Sequence, residues 1–233
     1  MDVHKPKPVH GWRAFAGEVA IIVLGVLIAI GAEQSVEALH WQSKVGADRR
    51  EIMSEVRDNA GYYAFRVAAA RCVVRRLDEL NGVAESVARR QPVPPIKLIG
   101  LHIGHLINDN AFEAARAEQV LAHFPRREVG SLSVLYAQQA DIKSWVVSEE
   151  VVWPTLAMLE GNPNRLGPAD ISQVRNALQQ ARNLEFLIDV NARTQLDLSE
   201  KLGVRTPAPD PADIRIACAP LVRSINPAPM DRP

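Results

Sequence analysis

One stretch near the N-terminus constrains this chain more than any other. Val19 to Ala32 carries no charged residue. Extended back through Glu18 to Ala14, the apolar segment is 19 residues long. As a helix it would span about 28 Å, the thickness of one hydrocarbon core. Glu18 would lie about one turn inside the membrane, where a carboxyl group snorkels, protonates or faces a partner helix. Trp12 and Trp41 suit the two interfaces. Two other readings compete with a membrane span. Ala29-Ile30-Gly31 resembles a signal-peptidase site, so the segment could be a cleaved leader. The uncharged run alone is also short enough to be a buried core helix. Against cleavage, the helical pattern continues through Glu33 to Trp41 without a turn signal.

The flanks orient a span. Lys5, Lys7 and Arg13 precede it, and the next basic residue after it is Lys44. The positive-inside rule then keeps the N-terminus in the cytoplasm and sends roughly 200 residues outward.

Those residues read as helical. No proline occurs from Glu33 to Arg90. Val56, Ala60, Tyr63, Val67, Ala70, Val74 and Leu77 step by four and three, the periodicity of a helix and not of a strand. Gly46 and Gly61 are the two places where a bend would fall. Gln91-Pro-Val-Pro-Pro95 ends the element. Ile96 to Ile107, with Gly100 and Gly104, reads as a short helix or an irregular packed segment. Asn108-Asp-Asn110 can cap a helix from Ala111 to Phe124. Pro125 can open the next helix from its first position, and Pro154 would kink it. Asp170 can cap a last long helix that Gly203 closes. Val204 to Pro233 is proline-rich and predicts an extended tail with one apolar anchor, Ile214 to Val222.

Composition narrows the function classes. Lys plus Arg number 27 and Asp plus Glu 27. That balance argues against a general nucleic-acid binder, which needs a basic excess to displace counterions. Two cysteines cannot complete a four-cysteine metal site. There is no phosphate-binding loop, no dinucleotide fingerprint, no His-Glu-x-x-His and no Gly-x-Ser-x-Gly. No catalytic residue and no cofactor follow from the sequence.

Phe15-Ala-Gly-Glu-Val-Ala-Ile-Ile-Val-Leu-Gly-Val-Leu-Ile-Ala-Ile-Gly-Ala-Glu-Gln34, Ala111-Phe-Glu-Ala-Ala-Arg-Ala117 and Leu132-Ser-Val-Leu-Tyr-Ala-Gln138 carry a resemblance. They resemble an uncharacterised bacterial family of membrane-anchored helical envelope proteins. The chain differs in Phe112, where that family commonly has tryptophan, and in Glu118, where a small residue is common. The resemblance implies one N-terminal anchor and a helical domain outside the cytoplasm. It implies no activity.

Candidate chemistry is sparse. His102 and His105 share a metal-ligand spacing, with Asp109 the nearest carboxylate, but surface or capping roles suit them better. Glu149 and Glu150 are adjacent, so on a helix they point about 100° apart and form no facing acid–base pair. A solvated face is the expectation for both. Arg66, Arg71, Arg75 and Arg76 could bind phosphate or an acidic polymer. Glu51, Glu55, Asp58, Asp78 and Glu79 lie among them, so surface ion pairing is the simpler reading.

The expected fold is all-α: an N-terminal transmembrane helix continuing into a long helix of an up-down bundle, then a proline-rich tail. The parts are a cytoplasmic segment (1–13), the span (14–32), an extracytoplasmic helical domain (33–203) and the tail (204–233). The expected role is an interaction or assembly module with an unidentified envelope partner. A ligand-sensing domain signalling through a partner is the alternative, and an envelope enzyme a lesser one. Glu18, Ile22, Gly25, Ala29 and Ala32 fall on one face of the span, a small-residue seam suited to self-association. Gly and Ala are common in such helices, which is the plainer account. Cys72 and Cys218, in an oxidising compartment, are expected to pair. The alternative is two buried thiols acting as small hydrophobes.

Overall fold

The computed structural model describes residues 11–100 and 107–223. The His102–His105 pair, Lys5 and Lys7, and the tail beyond Arg223 lie outside the described residues. The fold is all-α, with almost no strand, as the periodicity requires.

Helix α1, Trp12–Ala88, is 77 residues long and unbroken through both Gly46 and Gly61. It would measure about 115 Å at 1.5 Å per residue. Its two halves have opposite surroundings. From Phe15 to Ile30 the apolar side chains face outward on all sides, with Ile21 72% and Leu27 60% exposed. This part is long and apolar enough to cross a membrane, and none of it is buried by the rest of the chain. From Ile52 to Val87 the same helix carries a buried stripe that includes Val56, Tyr63, Ala70, Leu77, Leu80 and Ala84. The exposed half needs cover from something other than this chain.

The other elements follow in chain order. They are β1 (Ile96–Leu98), α2 (Asn110–Ala117), α3 (Arg126–Leu156), α4 (Pro168–Lys201), α5 (Pro211–Ala217) and β2 (Val222–Arg223). Ion pairs give the directions. Arg49 pairs with Glu128 and Arg66 with Glu149, so α1 and α3 run parallel. Asp78 pairs with Arg182 and Glu85 with Arg175, so α4 runs antiparallel to α1. The connection 89–125 makes this possible by returning the chain along the bundle to the level of Trp41.

Helix ends are set by local chemistry. Arg90, at φ 58°, and Gly203, at φ 80°, each take the left-handed conformation one residue past a helix cap. At both, paired backbone bonds close the last carbonyls: Gln91 N–H to Ser86 and Arg90 N–H to Val87, then Val204 N–H to Ser199 and Gly203 N–H to Glu200. Pro125 caps α3 from outside instead of occupying its first turn. Pro154 lies in the last turn of α3, which gives way after Leu156 to a 3₁₀ turn, Ala157–Leu159. Asp170 acts from the third position of α4: its carboxylate accepts the N–H of Gly167, the cap itself, and Pro168 opens the helix.

Three segments differ from expectation. The helix expected over Ala111–Phe124 stops at Ala117, and a 3₁₀ turn, Val120–His123, follows Gln119 at φ 61°. Ile96–Leu98 is a short strand, because its backbone finds partners on two sides. Ile96 exchanges both hydrogen bonds with Gly161, at 2.8 and 2.7 Å, and β2 pairs antiparallel on the other edge. The tail is not simply extended. Asp210 caps α5 by accepting the N–H of Ala212 at 2.7 Å, with Pro211 in the first turn.

The core divides into three apolar layers along the bundle. The lowest holds Ile52, Phe112, Phe124, Leu132 and Leu135. The middle one holds Tyr63, Ile142, Val146 and Ile188. The upper one holds Leu77, Leu80, Trp153, Leu156, Val174 and Leu178. Trp41 belongs to the lowest layer, stacked on His123 at 3.8 Å, so its ring closes the bundle end.

Candidate functional site

Charged residues occupy the bundle interior at the boundary between the middle and upper layers. Arg66 on α1, Glu149 on α3 and Glu185 on α4 are 1%, 3% and 3% exposed. Each lies in phase with the apolar stripe of its helix: Arg66 between Tyr63 and Ala70, Glu149 between Val146 and Val152, Glu185 between Ala181 and Ile188. Packing of the stripes therefore brings the three heads together.

Arg66 donates to Glu149 through both terminal nitrogens, Nη1 to Oε2 at 2.7 Å and Nη2 to Oε1 at 2.9 Å. Nη2 also donates to Glu185 Oε2 at 2.6 Å, and Nη1 reaches the Tyr62 hydroxyl at 3.4 Å. One cation thus faces two carboxylates. Burial works against the Arg66 charge, but the hydrogen bonds and the charge of Glu149 outweigh it and hold the guanidinium firmly protonated. Burial pushes Glu185 up to about 7, against the pull of Arg66 and with the added repulsion of Glu149. Near neutrality Glu185 therefore exchanges a proton inside the bundle. Glu185 Oε1, Arg66 Nε and the Tyr63 hydroxyl are buried without a hydrogen-bond partner.

A second polar layer separates the lowest and middle apolar layers. Glu55 accepts the Tyr136 hydroxyl at 2.6 Å and the Ala111 N–H at 2.9 Å. Burial, then the hydrogen bond to Glu55, raises the Tyr136 phenol well above its ordinary range. Asn59 donates to Asn108 O at 2.7 Å and accepts its N–H at 3.1 Å, while Gln139 donates to the same carbonyl at 2.7 Å. Phe112 stacks on Tyr136 at 4.1 Å. This layer fixes the return connection against α1 and α3.

A third cluster holds the tail. Cys72 and Cys218 form a disulfide with Cα atoms 4.9 Å apart. Arg75 donates to Cys218 O at 2.7 Å, and Arg76 donates to the carbonyls of Ile99 and Ala219.

Several sequence expectations need correction. Glu149 was expected on a solvated face but is buried as the main partner of Arg66, because its helical phase is that of Ile142 and Val146 and not that of Glu150, which is exposed. Arg66 and Arg76 were expected in surface ion pairs, yet both are buried; Arg66 serves the interior and Arg76 the tail. Glu55 is buried as well. Arg71 and Arg75 are exposed, as are Glu51 and Asp58. Asp78 pairs with Arg182 at 2.7 Å and Glu79 with Arg76 at 3.1 Å. Asp109 receives Lys143 at 2.8 Å. Glu185 was missed altogether; the signal for it was a carboxylate in the apolar phase of α4. Glu18, Ile22, Gly25, Ala29 and Ala32 are all exposed on α1. Among the described residues, no group of three or more His, Cys, Asp or Glu side chains could hold a metal ion.

Fold and site together define an all-helical bundle borne on a candidate membrane span. No protein-family model, curated protein or solved structure matches the chain.

Proposed function

We propose that the chain is a single-pass protein of a bacterial inner membrane, with its N-terminus in the cytoplasm and its bundle in the periplasm. There it acts as an interaction or assembly module for an envelope partner. The observation that carries this reading is the continuity of α1. One unbroken helix passes from an apolar segment with no cover of its own into the core of the bundle. A domain attached in this way is held at a fixed height above the bilayer, which suits a docking platform. The basic residues ahead of the span support the orientation, and the disulfide suits an oxidising compartment. The resemblance to the anchored envelope family points the same way.

The test is fractionation with a topology reporter. The full chain should stay with the membrane after carbonate washing and keep Met1 or Asp2 as its first residue. A phosphatase fused after Pro233 should be active. Cytoplasmic fluorescence from a fusion at the same position, or a mature chain beginning at Ala32 or Glu33, would overturn the topology. Crosslinking in native membranes followed by purification would then identify the partner.

A further inference from the structure

The lower end of the bundle carries an open groove of about 600 Å³ between α1 and the turn that closes α4. Arg50, Ser54 and Arg57 line it from α1, and Arg205 lines it beyond the turn, with Met53 and Val204 as apolar contacts. Arg50, Ser54 and Arg57 are four and three residues apart, so they share one helix face. Arg205 is placed by the left-handed turn at Gly203.

The positive charge of this groove is not compensated by its own lining. Arg49, the neighbour of Arg50, is held by Glu128, and Arg175, Arg182 and Arg193 each have a carboxylate. Among the described residues none pairs with Arg50, Arg57 or Arg205, and no carboxylate lines the groove. Ser54 adds an exposed hydroxyl to the same helix face. The adjoining end of α4 does not neutralise the arginines, because the carbonyls of Leu198, Ser199 and Glu200 already accept N–H groups of its closing turn.

We propose that this groove binds a soluble phosphate-bearing anion, a phosphate ester or a pyrophosphate group. The three guanidinium groups would meet its oxygens while Met53 and Val204 contact the attached organic part. Three unneutralised cations call for a compact group carrying about two negative charges and several acceptor oxygens, which a phosphate supplies. The volume leaves room for a small organic molecule beyond the phosphate. A phospholipid headgroup offers the same chemistry, but distance favours the soluble source. Arg50 follows Ala32 by 18 residues, or about 27 Å of helix. The interfacial layer is only about 5–8 Å deep.

The experiment is calorimetric titration of inorganic pyrophosphate into the full chain in phosphatidylcholine nanodiscs at physiological salt. Saturable one-to-one binding is expected. Arg57→Ala and Arg205→Ala should each weaken it at least tenfold without changing the unfolding temperature, and Arg175→Ala, whose arginine is paired elsewhere, should not. No saturable binding, or binding indifferent to Arg57 and Arg205, overturns the site. Citrate bound as tightly as pyrophosphate overturns the phosphate assignment. In discs containing phosphatidylglycerol the pyrophosphate affinity should be unchanged, since screening at that salt acts over about 8 Å. Loss of affinity only in those discs would give the site to the lipid headgroup and overturn the soluble source.

Discussion

Arg66 meets Glu149 through both terminal nitrogens, at 2.7 and 2.9 Å, where neither side chain reaches solvent. Such a pair contributes little net stability over an apolar substitute, because desolvation of both charges offsets their attraction. Breaking it is another matter. Arg66→Met would leave Glu149 and Glu185 buried side by side without a cation. The expected loss is about 3–5 kcal/mol. The triple variant Arg66→Met, Glu149→Leu, Glu185→Leu removes every charge and should recover most of that loss. Unfolding of the detergent-solubilised full chain measures both. A triple variant no more stable than the single one would show that the ions themselves hold the helices together.

Glu185 makes stability depend on pH. Its carboxyl titrates near 7 in the folded chain against an ordinary value of 4.5. The folded state therefore holds the proton more tightly than the unfolded one. That contribution is complete below about pH 4.5 and is lost as pH rises through 7. It amounts to about 3 kcal/mol at most, from 1.36 kcal/mol per unit. The unfolding temperature should fall by several degrees between pH 5 and 8, and Glu185→Gln, neutral throughout, should flatten that fall. Equal slopes in the two proteins would place the titration elsewhere.

The helical content and the apolar segment were legible because both are written in local spacing. The interior ions were legible in principle. Glu149 follows Ile142 and Val146 at seven and three residues, so its phase assigned it to the core, but its charge and its neighbour Glu150 argued for the surface. Phase prevailed because a partner, Arg66, occupies the matching level of another helix, and partners across helices have no signature in local sequence. The same limit hid β1: Ile96 becomes a strand residue only because Gly161 and β2, distant in sequence, approach its two edges. The parallel course of α1 and α3 likewise depends on the long return connection. Gly61, where a bend was expected, lies instead under Pro207, whose nearest ring atom would sit 3.6 Å from an added methyl group.

The disulfide should secure the tail. It closes a loop of 146 residues, and the chain-entropy argument sets a ceiling of about 5 kcal/mol. A few kcal/mol is the working expectation, because measured values fall short of that ceiling. Cys72→Ser with Cys218→Ser should lower the unfolding temperature and open the segment after Gly203 to protease, since the Arg75 and Arg76 bonds, the Pro207 contact and the β1–β2 pairing then hold it without a covalent link. Non-reducing mass spectrometry of the native chain should show no alkylated thiol. Two alkylated cysteines, or a tail equally resistant in the double variant, would remove this role.

The exposed face of the span offers the last prediction. Glu18, Ile22, Gly25, Ala29 and Ala32 recur every three or four residues, and an added side-chain carbon at Gly25 meets nothing within 4 Å in the single chain. Any penalty for enlarging Gly25 must therefore come from a neighbouring helix in the membrane. Close approach of two copies would depend on the small residues, and Glu18 would be shielded from lipid by the same contact. Gly25→Leu should reduce the crosslinking yield of full-length chains in membrane vesicles several-fold. Leu24→Ile, one residue earlier and about 100° around the helix, should leave it unchanged. Equal yields from the two variants would exclude this seam as the contact between copies.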